Sequence, residues 1–106
     1  MATRRLGLLV STPPSHPSVD TVLRLTEAAL RQGIDVYLYL IDEGVKSLMD
    51  SRYTDIVHAG VKMSVCAYGC QQHSVSTKDI NPKISLSGLV VLSRIIDGCD
   101  RFVAFT

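Results

Sequence analysis

Val61-Lys62-Met63-Ser64-Val65-Cys66 alternates apolar and polar side chains and runs without a break into Ala67-Tyr68-Gly69-Cys70-Gln71-Gln72-His73. The first half has the two-residue period of a strand, and the second half can open a helix. A strand passing directly into a helix is the repeating step of a parallel α/β sheet, whose strands need crossover connections. In such sheets ligands bind at the carboxyl ends of the strands. This reading puts Cys66 at that end of a third strand, with Cys70 one helical turn further on and His73 beyond it.

The rest of the chain supplies matching pieces. Leu6-Gly7-Leu8-Leu9-Val10 is a short apolar run bounded by Arg4-Arg5 and by Pro13-Pro14, as expected of a first strand buried on both faces. Residues 11–18 hold three prolines, which remove donors and restrict the residues before them, so this stretch is a loop at the strand's carboxyl end. Ser18 is the expected N-cap of a first helix, along which Val19, Val22, Leu23, Thr26, Ala29 and Leu30 recur at steps of three and four residues. Gly33 stops it. Ile34 to Ile41 is β-branched and aromatic and predicts a second strand. Short helical turns are expected over Val45–Met49 and Tyr53–Ala59, ended by Gly60. Residues 75–82 are polar and turn-rich, which predicts a loop over the site. Leu86 to Ile96 reads as a strand followed by a helix or as one continuous helix; the continuous helix is favoured because Gly98 gives it a stop. Asp100 to Phe105 predicts a last strand. The expected fold is a single domain, residues 1–106, of class α/β: a parallel, flavodoxin-like sheet of about four to five strands with helices on both faces. So small a sheet leaves edges that self-association would cover.

Composition narrows the function. With 46% hydrophobic and 20% charged residues in 106, the chain is a globular domain rather than a disordered tail. Eleven basic against ten acidic side chains leave a formal charge of +1, which marks neither nucleic acid nor an anionic membrane as partner. The apolar run after the basic start is too short for a secretory core, and no run approaches a membrane span. The cytoplasm is therefore the expected compartment, where three cysteines would stay reduced. No Gly-x-Gly-x-x-Gly, Gly-Lys-Ser/Thr or Gly-x-Ser-x-Gly signature is present, so neither a nucleotide enzyme nor an α/β hydrolase is supported.

The cysteines carry whatever chemistry there is. The thiolate is the reactive form of cysteine, and backbone amides at the start of a helix favour negative charge on a sulfur placed there. Cys66 is so placed, although packing alone also accounts for a cysteine at a strand end. Cys70 is either a second thiol on the same helix face or a packing residue, and Cys99, before the last strand, is assigned to the core. Cys66, Cys70 and His73 are spaced like three metal ligands, but a closed zinc site needs four and neither His16 nor His58 is paired with them, so no metal is expected. His73 is either an exposed helix residue or an electrostatic stabiliser of a Cys66 thiolate or persulfide. His16 reads as a solvated loop histidine.

The segment Val65-Cys66-Ala67-Tyr68-Gly69-Cys70-Gln71-Gln72-His73-Ser74-Val75 resembles the cysteine segment of the DsrE/TusD-like (DsrE/DsrF-like) sulfur-relay family, in which a strand ends in a persulfide-accepting cysteine that opens a short helix. Leu30-Arg31-Gln32-Gly33-Ile34, Tyr37-Leu38-Tyr39-Leu40, Gly60-Val61-Lys62 and Asp97-Gly98-Cys99-Asp100-Arg101-Phe102-Val103-Ala104-Phe105 extend the resemblance over most of the chain. It implies a cytoplasmic sulfurtransferase or sulfur carrier with Cys66 as persulfide acceptor, Cys70 as second thiol and His73 as helper. No cofactor is implied, because the sulfur rides on the protein. The implied partners are sulfur-donor and sulfur-acceptor proteins, TusA-like or rhodanese-like, within a homo- or hetero-oligomer and without nucleic acid or membrane. Many relatives carry Arg-Arg-Gly or Ala-Arg-Gly where this chain has Gln72-His73-Ser74, so His73 stands where a cationic clamp is common. Two other classes stay open: a thiol-disulfide switch using Cys66 and Cys70, and a non-catalytic subunit of a relay complex.

Overall fold

A computed structural model describes residues 3–106. Five strands, β1 (Arg5–Val10), β2 (Asp35–Leu40), β3 (Lys62–Cys66), β4 (Ser85–Ser87) and β5 (Arg101–Phe105), form one sheet in the order β4-β3-β2-β1-β5. Every neighbouring pair is parallel. The connections hold α1 (Ser18–Arg31), a 3-10 segment (Asp42–Met49), α2 (Ser51–His58), α3 (Ala67–Gln72) and α4 (Leu89–Gly98).

The direction of travel places the helices. From β1 to β4 the chain steps steadily toward one edge, and right-handed crossovers put α1, the 3-10 segment, α2 and α3 on a single face. The step from β4 to β5 returns across the sheet, so α4 falls on the opposite face. The first face holds the core: Leu8 and Val10 of β1, Val36, Leu38 and Leu40 of β2, and Met63 and Val65 of β3 are all buried. Each such side chain contributes about 1.5–3 kcal/mol by leaving water. On the other face α4 lies close against β1. A Cβ at Gly7 would sit 2.8 Å from Phe102 Cδ1, 3.1 Å from Ile95 Cγ2 and 3.2 Å from the Cys99 sulfur, so only glycine allows that approach. Cys99 is accordingly half-buried and packed against the core.

Two expectations need correction. The stretch expected as one continuous helix from Leu86 is a strand followed by a helix: Ser85–Ser87 pairs with β3 and α4 begins at Leu89. Ser18 does not cap α1; Pro17 holds the N-cap position, without a side-chain cap bond. The Ser18 hydroxyl is taken up within the loop, 2.8 Å from Thr12 Oγ1 and 2.9 Å from His16 Nδ1.

Candidate functional site

Cys66 ends β3 and is the N-cap of α3, with extended backbone at φ −69° and ψ 115°. Its Sγ accepts a hydrogen bond from the Gly69 backbone N–H at 3.3 Å. Sulfur therefore does here what a serine or aspartate oxygen does at other helix starts, satisfying a donor that the helix leaves free. Glycine is required at that donor. A Cβ on Gly69 would lie 2.9 Å from Val45 Cγ1 and 3.4 Å from the Asp42 nitrogen, so α3 can rest on the 3-10 segment only because residue 69 has no side chain.

Tyr39 forms the other wall. Pleat alternation sends it, with Ser64 and Cys66, to the face opposite the main core, since Leu38 pairs with Met63 and Tyr39 with Ser64. It is fully buried, and its hydroxyl donates to the Gly88 carbonyl at 3.0 Å and, more weakly, toward the Ser87 carbonyl at 3.4 Å. Burial pushes the phenol up to about 12, and the adjacent Cys66 sulfur pushes it the same way. The proton thus stays on the phenol at neutral pH. Because Ser87 is the register partner of Cys66, Tyr39 ties down the strand end beside Cys66, which is only 5% exposed.

Cys70, one turn along α3, is 2% exposed. Burial raises its thiol, and the nearby Cys66 sulfur raises it further. Cys70 also borders an open depression with Tyr68, Val75, Thr77 and Leu86. Cys66 and Cys70 thus stand one helical turn apart, at the N-cap and within α3. His73 pairs elsewhere: Nε2 lies 2.9 Å from Asp42 Oδ1 and Nδ1 lies 3.7 Å from Glu43 Oε1. The imidazole ties the end of α3 to the start of the 3-10 segment, and Asp42 adopts φ +51° there, a left-handed conformation that aspartate tolerates better than most residues. His16 is exposed in the first loop, where its Nδ1 lies 2.9 Å from Ser18 Oγ, and His58 ends α2.

Sequence reasoning did not find Tyr39. The β-branched and aromatic run of Ile34 to Ile41 marks a strand but no site, and the contact with Gly88 spans 49 residues. The usable signal was a polar-tipped aromatic in a strand otherwise buried on both sides, since a buried tyrosine hydroxyl needs a partner.

The DsrE/DsrF-like family profile matches residues 4–105. The fold is shared with the ychN protein from E. coli, at TM-score 0.82 and 19% identity, covering 98% of this chain and 100% of that one. It is shared also with MTH1491 from Methanobacterium thermoautotrophicum, a protein of unknown function, at TM-score 0.77 and 12% identity over 96% and 99% of the two chains. No curated protein matches the sequence.

Proposed function

The chain belongs to the DsrE/DsrF-like family, and from that premise we propose that it is a cytoplasmic sulfurtransferase or sulfur carrier whose Cys66 accepts sulfane sulfur as a persulfide. One observation carries the reading: Cys66 alone of the three cysteines stands at a strand-to-helix junction with a backbone N–H donating to its sulfur. The thiolate attacks the outer sulfur of a donor persulfide, an S–S bond forms on Cys66, the donor's own S–S bond breaks, and the donor leaves as a thiolate. Transfer onward is the same exchange, with an acceptor thiolate attacking the outer sulfur on Cys66. No net oxidation occurs.

The remaining parts take supporting roles. Cys70, one helical turn from Cys66, serves as a second thiol. His73 acts from its brace on Asp42 and Glu43, holding α3 in place, so its influence on the thiolate is exerted through the helix. Donor and acceptor proteins of TusA-like or rhodanese-like type, and a homo- or hetero-oligomer, complete the relay. The apolar side chains that α4 leaves exposed, Leu89, Val90 and Ile96, are where such an assembly would bury surface. Among the described residues no helix is long and apolar enough to cross a membrane.

The test is sulfur loading of the wild type and of Cys66→Ser, Cys70→Ser and Cys99→Ser after incubation with a persulfide donor. Cys66→Ser is expected to lose the added sulfur and Cys99→Ser to keep it; equal loading of Cys66→Ser and wild type overturns the assignment. A second reading, a thiol-disulfide switch, draws on the one-turn spacing of Cys66 and Cys70 at the start of α3. There an external disulfide or peroxide would take two electrons and the two thiols would lose their protons. Loss of two hydrogen masses within one chain, in place of a gain of sulfur, identifies it.

A further inference from the structure

At the opposite end of the sheet, between α4 and the amino ends of β1, β3 and β4, lies a cleft of about 690 Å³. Four of the chain's eleven lysines and arginines line it: Arg5, Lys62, Lys83 and Arg94. No aspartate or glutamate does. A protein with a formal charge of +1 has thus gathered more than a third of its positive charge around one concavity. Lys62 has a partial partner in Asp35 at 3.6 Å, with both side chains well exposed. Among the described residues the side chains of Arg5, Lys83 and Arg94 make no salt bridge. The C-terminus of α4, at Gly98, adds about half a negative charge, which four cations outweigh. The floor is apolar and aromatic, made by Tyr37, Val91 and Ile95.

Cationic rim and apolar floor specify the ligand's two halves. The volume lies in the range of small-molecule sites, which are mostly apolar with a few convergent polar groups. We propose that this cleft binds a small amphipathic organic anion: an apolar or aromatic body lying on Tyr37, Val91 and Ile95, and a carboxylate, sulfonate or phosphate head held by Lys62, Lys83 and Arg94. The site is separate from the cysteine cluster. Lys62 opens β3 and Cys66 closes it, so about 13 Å of strand lies between them. The two sites can therefore be probed independently.

Amide chemical shifts of the full chain, titrated at low salt with anilinonaphthalene sulfonate, test this. Saturable shifts are expected at Gly60, Lys62, Ser64 and Cys99. The uncharged analogue N-phenylnaphthylamine and inorganic phosphate, each carrying one half of the chemistry, are expected to bind at least tenfold more weakly. Lys83→Ala and Arg94→Ala, both at exposed positions, are each expected to weaken the sulfonate by about threefold, and the pair by about tenfold. Cys66→Ser is expected to bind it as the wild type does. Shifts confined to Leu89, Val90 and Ile96, equal binding of the uncharged analogue, or unchanged affinity in the double variant would each overturn the proposal. So would tighter binding of a polyglutamate peptide than of the sulfonate, or sedimentation showing that the double variant dissociates an assembly of this chain, since either result gives the cleft to a protein surface.

Discussion

Tyr39→Phe removes one oxygen from a fully buried side chain and leaves its ring in place. The hydroxyl it deletes donates to the Gly88 carbonyl at 3.0 Å and lies 3.4 Å from the Ser87 carbonyl. A neutral hydrogen bond of this kind is worth about 1 kcal/mol net. The loss falls on a weak element, because β4 is a three-residue edge strand joined to the sheet only through β3. If the bond holds that segment closed, losing it raises the open population by about fivefold, the Boltzmann factor for about 1 kcal/mol. Cys66 pairs with Ser87 across this edge, so its alkylation by a small reagent should speed up by about the same factor. Exchange at the Leu86 and Ser87 amides should rise with it, while the β1 and β2 amides follow only the change in global stability. Global stability should fall by no more than about 1 kcal/mol, or about 4–8 °C in Tm. Cys66 alkylation within twofold of wild type, in a variant whose β4 amides do exchange faster, would refute the claim that opening this edge exposes the sulfur.

Gly69→Ala gains about 1 kcal/mol of helix propensity but sets a Cβ 2.9 Å from Val45 Cγ1, and overpacking of that kind costs about 1–3 kcal/mol. Chemical denaturation should show a net loss, together with slower sulfur loading as α3 shifts away from Cys66. Asp50 caps α2 through the Arg52 backbone N–H at 2.9 Å, and the Arg52 side chain beside it holds its carboxyl below the usual aspartate value. The folded value being the lower one, this stabilisation is present above about pH 4 and drains away as pH falls below it. Asp50→Asn should flatten the stability profile in that acid range, and an unchanged slope would count against the assignment. His73→Ala should loosen the junction of α3 with the 3-10 segment, seen as faster exchange at Gln71 and Gln72, and a double-mutant cycle with Asp42→Ala should show their coupling. Independent effects of those two changes would mean that the 2.9 Å contact contributes nothing.

The parallel α/β class and four of the five strands were legible because each carries a local signal. Leu6–Val10 is a bounded apolar run, Ile34–Ile41 is β-branched and aromatic, Val61–Cys66 alternates, and Asp100–Phe105 follows a glycine stop. β4 carried none of these: Ser85-Leu86-Ser87 is short, largely exposed and adjoins the apolar residues of α4, so its pattern merges with the helix. The place of Cys66 could be read because a strand-to-helix junction is a local event. The destination of His73 could not, since Asp42 lies 31 residues away and nothing nearby in sequence announces the pairing. The basic cleft was hidden for a related reason. Arg5, Lys62, Lys83 and Arg94 are scattered along a nearly neutral chain, and only the crossing of α4 to the second face draws them together.

The central claim is that Cys66 receives the sulfur, and site-resolved persulfide mapping tests it most directly. The wild-type chain would be exposed to a rhodanese-like persulfide donor for a series of short times, blocked with an alkylating reagent and digested, and each cysteine peptide weighed. The expected result is one added sulfur atom appearing first on the Cys66 peptide, with any label on Cys70 arriving later and Cys99 unchanged. Sulfur reaching Cys70 or Cys99 first, or at the same rate in Cys66→Ser as in the wild type, would contradict the account.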